Sequence, residues 1–242
     1  MWIKKQIPNA ITCLNLFIGC IAILYISNNM LDMAAYCIGI AAIFDFFDGL
    51  AARVLHVSSE IGKQLDSLAD MVSFGLVPGY IMHKLLVFSL KYNSESIDET
   101  NPTFYLSYFG FLITIFSAIR LAKFNIDTRQ TNSFIGLPTP ANSFLIGSVA
   151  LLLFTTQNEE LKKLILNPSF LIGLTVLSSY LLVAEIPLFA LKFKNFKLKG
   201  NEIRYVFLII SLITFVLFKI IAIPIILLLY IVISLLFKTK TS

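Results

Sequence analysis

Asp45-Phe46-Phe47-Asp48-Gly49-Leu50-Ala51-Ala52-Arg53, followed after eight residues by Gly62, Asp66 and Asp70, places four of the chain's 14 acidic residues within 26 positions. These acids lie at the ends of two apolar runs, 33–54 and 68–90, each long enough to cross a bilayer as a helix. A carboxylate at a membrane edge is costly unless it is paired or bound to a cation. On a helix, Asp45, Asp48, Gly49 and Ala52 stand at i, i+3, i+4 and i+7 and share a face, and Asp66 and Asp70 stand at i and i+4 on the next helix. A turn over 54–61 brings the two helix ends together, so the four carboxylates can converge. Four such charges repel, and the usual resolution is a divalent cation of the oxygen-binding kind, Mg²⁺ or Mn²⁺. Two ions would hold a pyrophosphate and favour attack on one phosphorus. Gly49, Ala52 and Gly62 leave room for phosphate and sugar to approach the backbone. The competing structural reading has the acids capping helices, Asp66 above all, or pairing with Arg53 and Lys63.

The rest of the chain fits a membrane setting. Of 242 residues, 57% are hydrophobic and 14% charged, well below the share of charge in soluble domains. Candidate spans are 10–27, 33–54, 68–90, 103–121, 139–155, 169–191, 205–218 and 221–237, the last two separated only near Lys219, as a tight hairpin or one broken element. The expected fold is therefore an all-α integral membrane protein of about eight transmembrane helices. Period-two alternation is absent, which argues against a barrel. The start Met1-Trp2-Ile3-Lys4-Lys5 reads as an amphipathic lead-in to a retained first span, because no small-x-small cleavage site closes the run.

With the N-terminus in the cytoplasm, 14 of the 19 basic residues fall on the inner side, among them Arg53, Lys63, Arg120, Lys123, Arg129 and the loop from Lys192 to Lys199. The positive-inside rule then favours eight spans with both ends inside, in a cytoplasmic membrane, with the aspartates on the cytoplasmic face. The net charge of +5 comes from short juxtamembrane loops near anionic headgroups, so it does not indicate nucleic acid. Cys13, Cys20 and Cys37 lie in apolar runs without metal or disulfide spacing.

The motif D-x-x-D-G-x-x-A-R, eight residues, G-x-x-x-D-x-x-x-D resembles the signature of the CDP-alcohol phosphatidyltransferases. Asp45, Asp48, Gly49, Ala52, Arg53, Gly62, Asp66 and Asp70 match every fixed position. The resemblance implies a catalytic membrane domain over 1–195, whose first six helices form the family core, followed by a helix pair in 196–242. It implies that Asp45, Asp48, Asp66 and Asp70 hold Mg²⁺ or Mn²⁺, two ions in all. Asp70 is expected to act also as the general base on the acceptor hydroxyl. Pro8, Asn9, Thr12, Asp48, Gly49, Ala52, Arg53 and Gly62 are expected at CDP, with CMP leaving by in-line displacement. A homodimer is expected from the resemblance alone.

Three further segments resemble the bacterial phosphatidylserine synthase branch: 7–16, then 120–125 with 136–141, and Glu185-Ile186-Pro187. They imply CDP-diacylglycerol and L-serine as substrates. Arg120 and Lys123 suit the serine carboxylate, Arg bidentately, and Asn125 and Thr139 at a helix start could add hydrogen bonds. The alternative for Arg120, Lys123 and Arg129 is a purely topogenic role, and the same signature serves glycerol 3-phosphate and inositol phosphate as acceptors. Glu185, deep in an apolar run, either lines the substrate cavity or pairs with a cation from another span. His56 reads as a surface residue and His83 as remote from the chemistry. A divalent-cation transporter would place acids in mid-membrane on several helices rather than at one edge.

Overall fold

The computed structural model describes residues 2–93, 100–127, 133–189 and 201–236. Arg129, the basic loop 192–199 and the expected domain boundary at 195 lie outside them. Helix α1, Trp2–Ser27, turns through Asn28 and Asn29 (φ 60°) into α2, Leu31–Val54. Helix α3, Glu60–Asp70, passes through a π-helical segment, Met71–Leu76, into α4, Val77–Asn93. A 3₁₀ helix, Pro102–Phe111, leads into α5, Leu112–Ile126. Strand β1, Ser133–Ile135, precedes α6, Thr139–Thr155. Helices α7, Glu159–Ile165, and α8, Pro168–Val183, are followed by β2, Pro187–Phe189. Helices α9, Glu202–Phe218, and α10, Ala222–Leu236, complete the described chain.

Local chemistry sets many of these boundaries. Asn101 accepts from Thr103 N, Asn158 from Glu160 N and Leu161 N, and Asn167 from Phe170 N, each satisfying donors that a helix start leaves open. Pro102, Pro140 and Pro168 occupy first turns, where a missing N–H costs nothing. Buried hydroxyls in the apolar helices bond back to their own helix, as Thr175 does to Leu171 O and Ser234 to Tyr230 O, both at 2.7 Å.

The segment Glu60–Asn93 is the central helix: 61% of its most apolar window is buried, against 28% for Gln6–Ser27 and 33% for Leu31–Val54. Its own Phe74, Ile81 and Leu85 and, from the surrounding helices, Ile26, Leu31, Ile38, Ile113, Ile146 and Leu171 form the core, all fully or almost fully buried. The outward faces carry Phe17, Leu24, Ile43, Phe46, Leu212 and Val216, as lipid contact requires.

Among the described residues, five segments are long and apolar enough to cross a membrane, and a sixth results if α7 and α8, bent by 60° at Asn167-Pro168, form one span. The expected eight also counts the 17-residue α6 and both arms of the last segment, Glu202–Leu236. That segment folds back on itself. The Phe207 and Tyr230 rings are 5.7 Å apart, whereas 23 residues of straight helix would separate them by about 35 Å. The reversal falls at Lys219, with φ at 50°. The hairpin reading of this region is the observed one.

The bundle departs from pure helix at one place among the described residues. β1 and β2 pair antiparallel, Phe134 opposite Leu188 and Ile135 opposite Pro187. The run 169–191, read from sequence as one span, leaves helical form after Val183 because Pro187 cannot donate to a helix and disfavours helix at the residue before it. Gly136 continues the ladder at φ 76°, donating to Ile186 O at 3.0 Å. A Cβ there would lie 2.7 Å from Leu182 O and 3.0 Å from Ala184 O. Only glycine meets both demands.

Candidate active site

Helices α1, α2 and α3 meet at the carboxylates. Asp45, Asp48 and Asp66 each present an oxygen, and these oxygens lie within 4.8 Å of one another. Asp70 sits in the last turn of α3, near enough to Asp45 for the two carboxyl groups to influence each other. No ion pair to any of the four occurs among the described residues, where the ion pairs present are the exposed i, i+3 contacts Lys63–Glu60, Lys162–Glu159 and Lys163–Glu160. The capping alternative for Asp66 is excluded by its position in the second turn of α3. The cap there is Ser59, whose Oγ accepts from Gly62 N at 3.0 Å.

Helix α1 supplies neutral partners to this charge. The Thr12 hydroxyl donates to Asp48 Oδ2 at 2.6 Å and also lies 3.1 Å from Pro8 O. Asn15 Nδ2 reaches Asp70 Oδ1 at 3.5 Å, the long end of the hydrogen-bond range. Asn15 is fully buried, and its backbone carbonyl accepts from Ser73 Oγ at 3.1 Å. Ser73 belongs to the π-helical segment, so the irregular turn directly after Asp70 is tied to the helix that contacts Asp70. Asn15 and Ser73 were not singled out in the sequence, since nothing local in either marks a contact 55 or more positions away.

Beside Asp48 and Asp66 opens a cavity of about 170 Å³. Pro8, Asn9, Thr12, Gly49, Ala52 and Gly62 line it, together with Val57, Ser58, Ser59 and Lys63 from the α2–α3 turn and the start of α3. Arg53 does not line it: its side chain is exposed and Nε donates to Gly49 O at 2.9 Å. A Cβ on Gly62 would lie 3.0 Å from both Asn9 Oδ1 and Ser59 Oγ, so a bare residue is what lets α3 approach α1 here. Ser59 was accessible to sequence reasoning as a serine opening a helix.

A second, smaller cavity of about 40 Å³ lies at the end of α5, lined by Arg120, Lys123, Asp127, Ile135, Leu182, Val183 and Glu185. Arg120 is buried, its guanidinium sits 5.2 Å from the Phe124 ring centroid, and its Nε has no hydrogen-bond partner among the described residues. Its guanidinium lies near enough to the Asp70 carboxylate for their charges to interact. The other two residues expected near Arg120 go elsewhere. Asn125 Nδ2 donates to Ser67 Oγ at 2.8 Å, tying α5 to α3, and Thr139 is fully buried with an unpartnered hydroxyl among the described residues. Neither lines this cavity. His56 sits exposed in the turn after α2 at φ 52°. His83 stacks on Phe111 and Tyr108 and bonds Ser107 O through Nδ1 at 3.1 Å, among the rings of α4 and the 3₁₀ helix.

An aspartate cluster at the mouth of a cavity has many uses, and comparison with known proteins narrows them. The profile of the CDP-alcohol phosphatidyltransferases matches residues 5–191. The chain belongs to the CDP-alcohol phosphatidyltransferase family. The matched region holds the carboxylates, both cavities and the β1–β2 ladder, and leaves out the α9–α10 hairpin. Within reach of this family's profile, the chain is also similar to individual curated proteins. It is 33% identical over 212 residues to the CDP-diacylglycerol–serine O-phosphatidyltransferase of Helicobacter pylori strain J99, covering 85% of this chain and 79% of the relative. It is 32% identical over 198 residues to the protein of that name in Bacillus subtilis strain 168, covering 82% and 95%. It is 30% identical over 198 residues to the one in Methanocaldococcus jannaschii, covering 76% and 87%.

Proposed function

We propose that this membrane protein transfers the phosphatidyl group from CDP-diacylglycerol to L-serine, giving phosphatidylserine and CMP. The observation that carries the reading is the juxtaposition of a carboxylate cluster, a glycine-floored cavity and a buried arginine whose charge interacts with Asp70. The similarity to the serine phosphatidyltransferases named above supports the acceptor.

The donor set fits a hard divalent cation: the groups are all carboxylates, three of their oxygens converge within 4.8 Å, and no ion pair neutralises them among the described residues. Asp45, Asp48, Asp66 and Asp70 would hold two ions, Mg²⁺ or Mn²⁺. When bound, such ions neutralise a pyrophosphate and stabilise charge on its oxygens during displacement. Thr12 holds the Asp48 carboxylate in place. Pro8, Asn9, Gly49, Ala52 and Gly62 shape the wall against which the CDP moiety lies, and Arg53 braces the Gly49 carbonyl at its edge. Asp70 accepts the proton from the serine hydroxyl as its oxygen bonds to the diacylglycerol-bearing phosphorus, and the bond from that phosphorus to the CMP oxygen breaks. Arg120 and Lys123 hold the serine carboxylate. The space beside them admits about three water-sized groups. That suits the carboxylate and ammonium end of an amino acid and not an inositol ring.

The excess of basic residues at one set of helix ends supports carboxylates on the cytoplasmic face of the cytoplasmic membrane, with both termini inside. The enzyme acts as a homodimer, with the catalytic domain in 1–195 and the helix pair in 196–242 as an addition that packs on α6 and β2. The test is CMP release by the detergent-purified protein with CDP-diacylglycerol and Mg²⁺ or Mn²⁺, with and without L-serine. Serine-dependent release supports the reaction. Release only with glycerol 3-phosphate or inositol phosphate overturns the acceptor and keeps the chemistry.

A further inference from the structure

We propose that Glu185 recognises the ammonium group of the acceptor and so selects an amino acid over a phosphorylated alcohol. The inference rests on the acceptor reading above and adds the residue that makes the choice.

The cavity at the end of α5 carries charges of both signs. Arg120 and Lys123 come from α5, Asp127 follows that helix, and the exposed Glu185 enters from the segment after α8, which packs on α5. Arg120 is more than nine-tenths buried and lines this cavity, with its Nε unpartnered among the described residues, which marks the place where an anionic group is expected. Glu185 has no ion pair among the described residues, although two cations line the same cavity. A cavity with cations on one wall and a carboxylate on another complements a zwitterion. Serine brings a carboxylate to Arg120 and Lys123 and an ammonium to Glu185. Its hydroxyl is left for Asp70, whose charge interacts with that of Arg120.

A phosphorylated acceptor meets the same site differently. Its phosphate would be drawn to the two cations, yet it offers nothing to Glu185 and sets like charges against it. Discrimination of this kind comes from the repulsive element as much as from the attractive one.

The backbone holds Glu185 where this role needs it. The residue follows the last turn of α8 and precedes the β1–β2 ladder. Gly136 N donates to Ile186 O at 3.0 Å and Leu137 N to Leu181 O at 2.8 Å, so hydrogen bonds flank it on both sides. Pro187 stiffens the next position. A carboxylate on so constrained a corner loses little freedom on binding.

The test uses the full-length protein in detergent with CDP-diacylglycerol and Mn²⁺, following CMP release with L-serine and with 3-hydroxypropionate, which is serine without its ammonium. Glu185→Gln should raise the KM for L-serine about ten- to hundredfold, the worth of a charge-assisted hydrogen bond. Its KM for CDP-diacylglycerol should change less than about threefold. Its preference for serine over 3-hydroxypropionate should fall by the same factor as the serine KM rises, and Glu185→Asp should restore part of it. Binding of CDP-diacylglycerol by the variant serves as the folding control. An unchanged ratio of the two acceptors, in an enzyme that uses serine, overturns the role of Glu185 and leaves the proposed reaction standing. A wild-type enzyme that ignores serine and accepts glycerol 3-phosphate overturns both.

Discussion

The Thr12 hydroxyl donates to Asp48 Oδ2 at 2.6 Å, joining α1 to α2 at the carboxylate cluster. A hydrogen bond to a charged group is worth about 1.5–3 kcal/mol, and this one fixes the direction of a proposed metal ligand. Thr12→Val keeps the shape and removes the donor. It should raise the Mn²⁺ concentration for half-maximal CMP release about tenfold, and Thr12→Ser should stay near wild type. A metal titration of each variant checks this.

Asp70→Asn removes the proposed base and one of four crowded charges. CMP release should fall by about 10²- to 10⁴-fold. The metal-free protein should gain stability, because neighbouring carboxylates at about 4 Å repel by roughly 1 kcal/mol even at high dielectric. That corresponds to a rise in Tm of about 2–4 °C in a chain of this size. The added stabilisation by Mn²⁺ should shrink in the variant. Thermal melts with and without Mn²⁺ read both effects, and a fall in the metal-free Tm would contradict the crowding.

Gly62→Ala places a Cβ 3.0 Å from Asn9 Oδ1 and Ser59 Oγ. Both neighbours are side-chain ends that can move, so stability should change by less than about 1 kcal/mol. The wall of the larger cavity shifts, and the KM for CDP-diacylglycerol should rise about tenfold while that for serine stays put. Steady-state kinetics in both substrates separates the two. Gly62→Val should be worse in the same direction.

Gly136→Ala should do the reverse. A left-handed backbone costs a side-chain-bearing residue about 1–2 kcal/mol, and the added methyl also meets Leu182 O at 2.7 Å. Tm should drop by about 4–8 °C. The KM for serine should rise with little change for CDP-diacylglycerol, because the strained turn sits beside the Glu185 corner and not beside the aspartates.

The cluster of Asp45, Asp48 and Asp66 was legible in the sequence because its geometry is almost wholly local: helical spacing within two adjacent helices and one short turn. Much of the larger cavity was legible for the same reason, α1 being the immediate neighbour of α2. The second cavity was legible only as separate pieces. Arg120 and Glu185 are 65 positions apart, and the ladder that brings their segments together is three residues per strand, too short for a periodic signal. Asn125 illustrates the opposite failure. Its place beside Arg120 and Lys123 suggested the same job, yet it lies on another side of α5 and bonds Ser67. The hairpin at Lys219 was one of two readings, since an apolar run carries no mark of direction and only the facing rings of Phe207 and Tyr230 decide it.

The π-helical turn at Met71–Leu76 divides one continuous helix into two parts that keep different angular time. A π turn takes up roughly one more residue than an α turn, which holds back the rotation of all that follows by about 100°. Asp66 and Asp70 can therefore face α1 and α2 while the downstream half seats Ile81, Met82, Leu85 and Leu86 against a different set of neighbours. Deleting one residue from 71–76 would let the turn close as ordinary α-helix and leave both the aspartates and that buried stripe facing as they do, whereas a deletion between 77 and 80 would turn the stripe by about 100°. Along this helix, the π turn is the place where the number of residues can change without turning one half against the other.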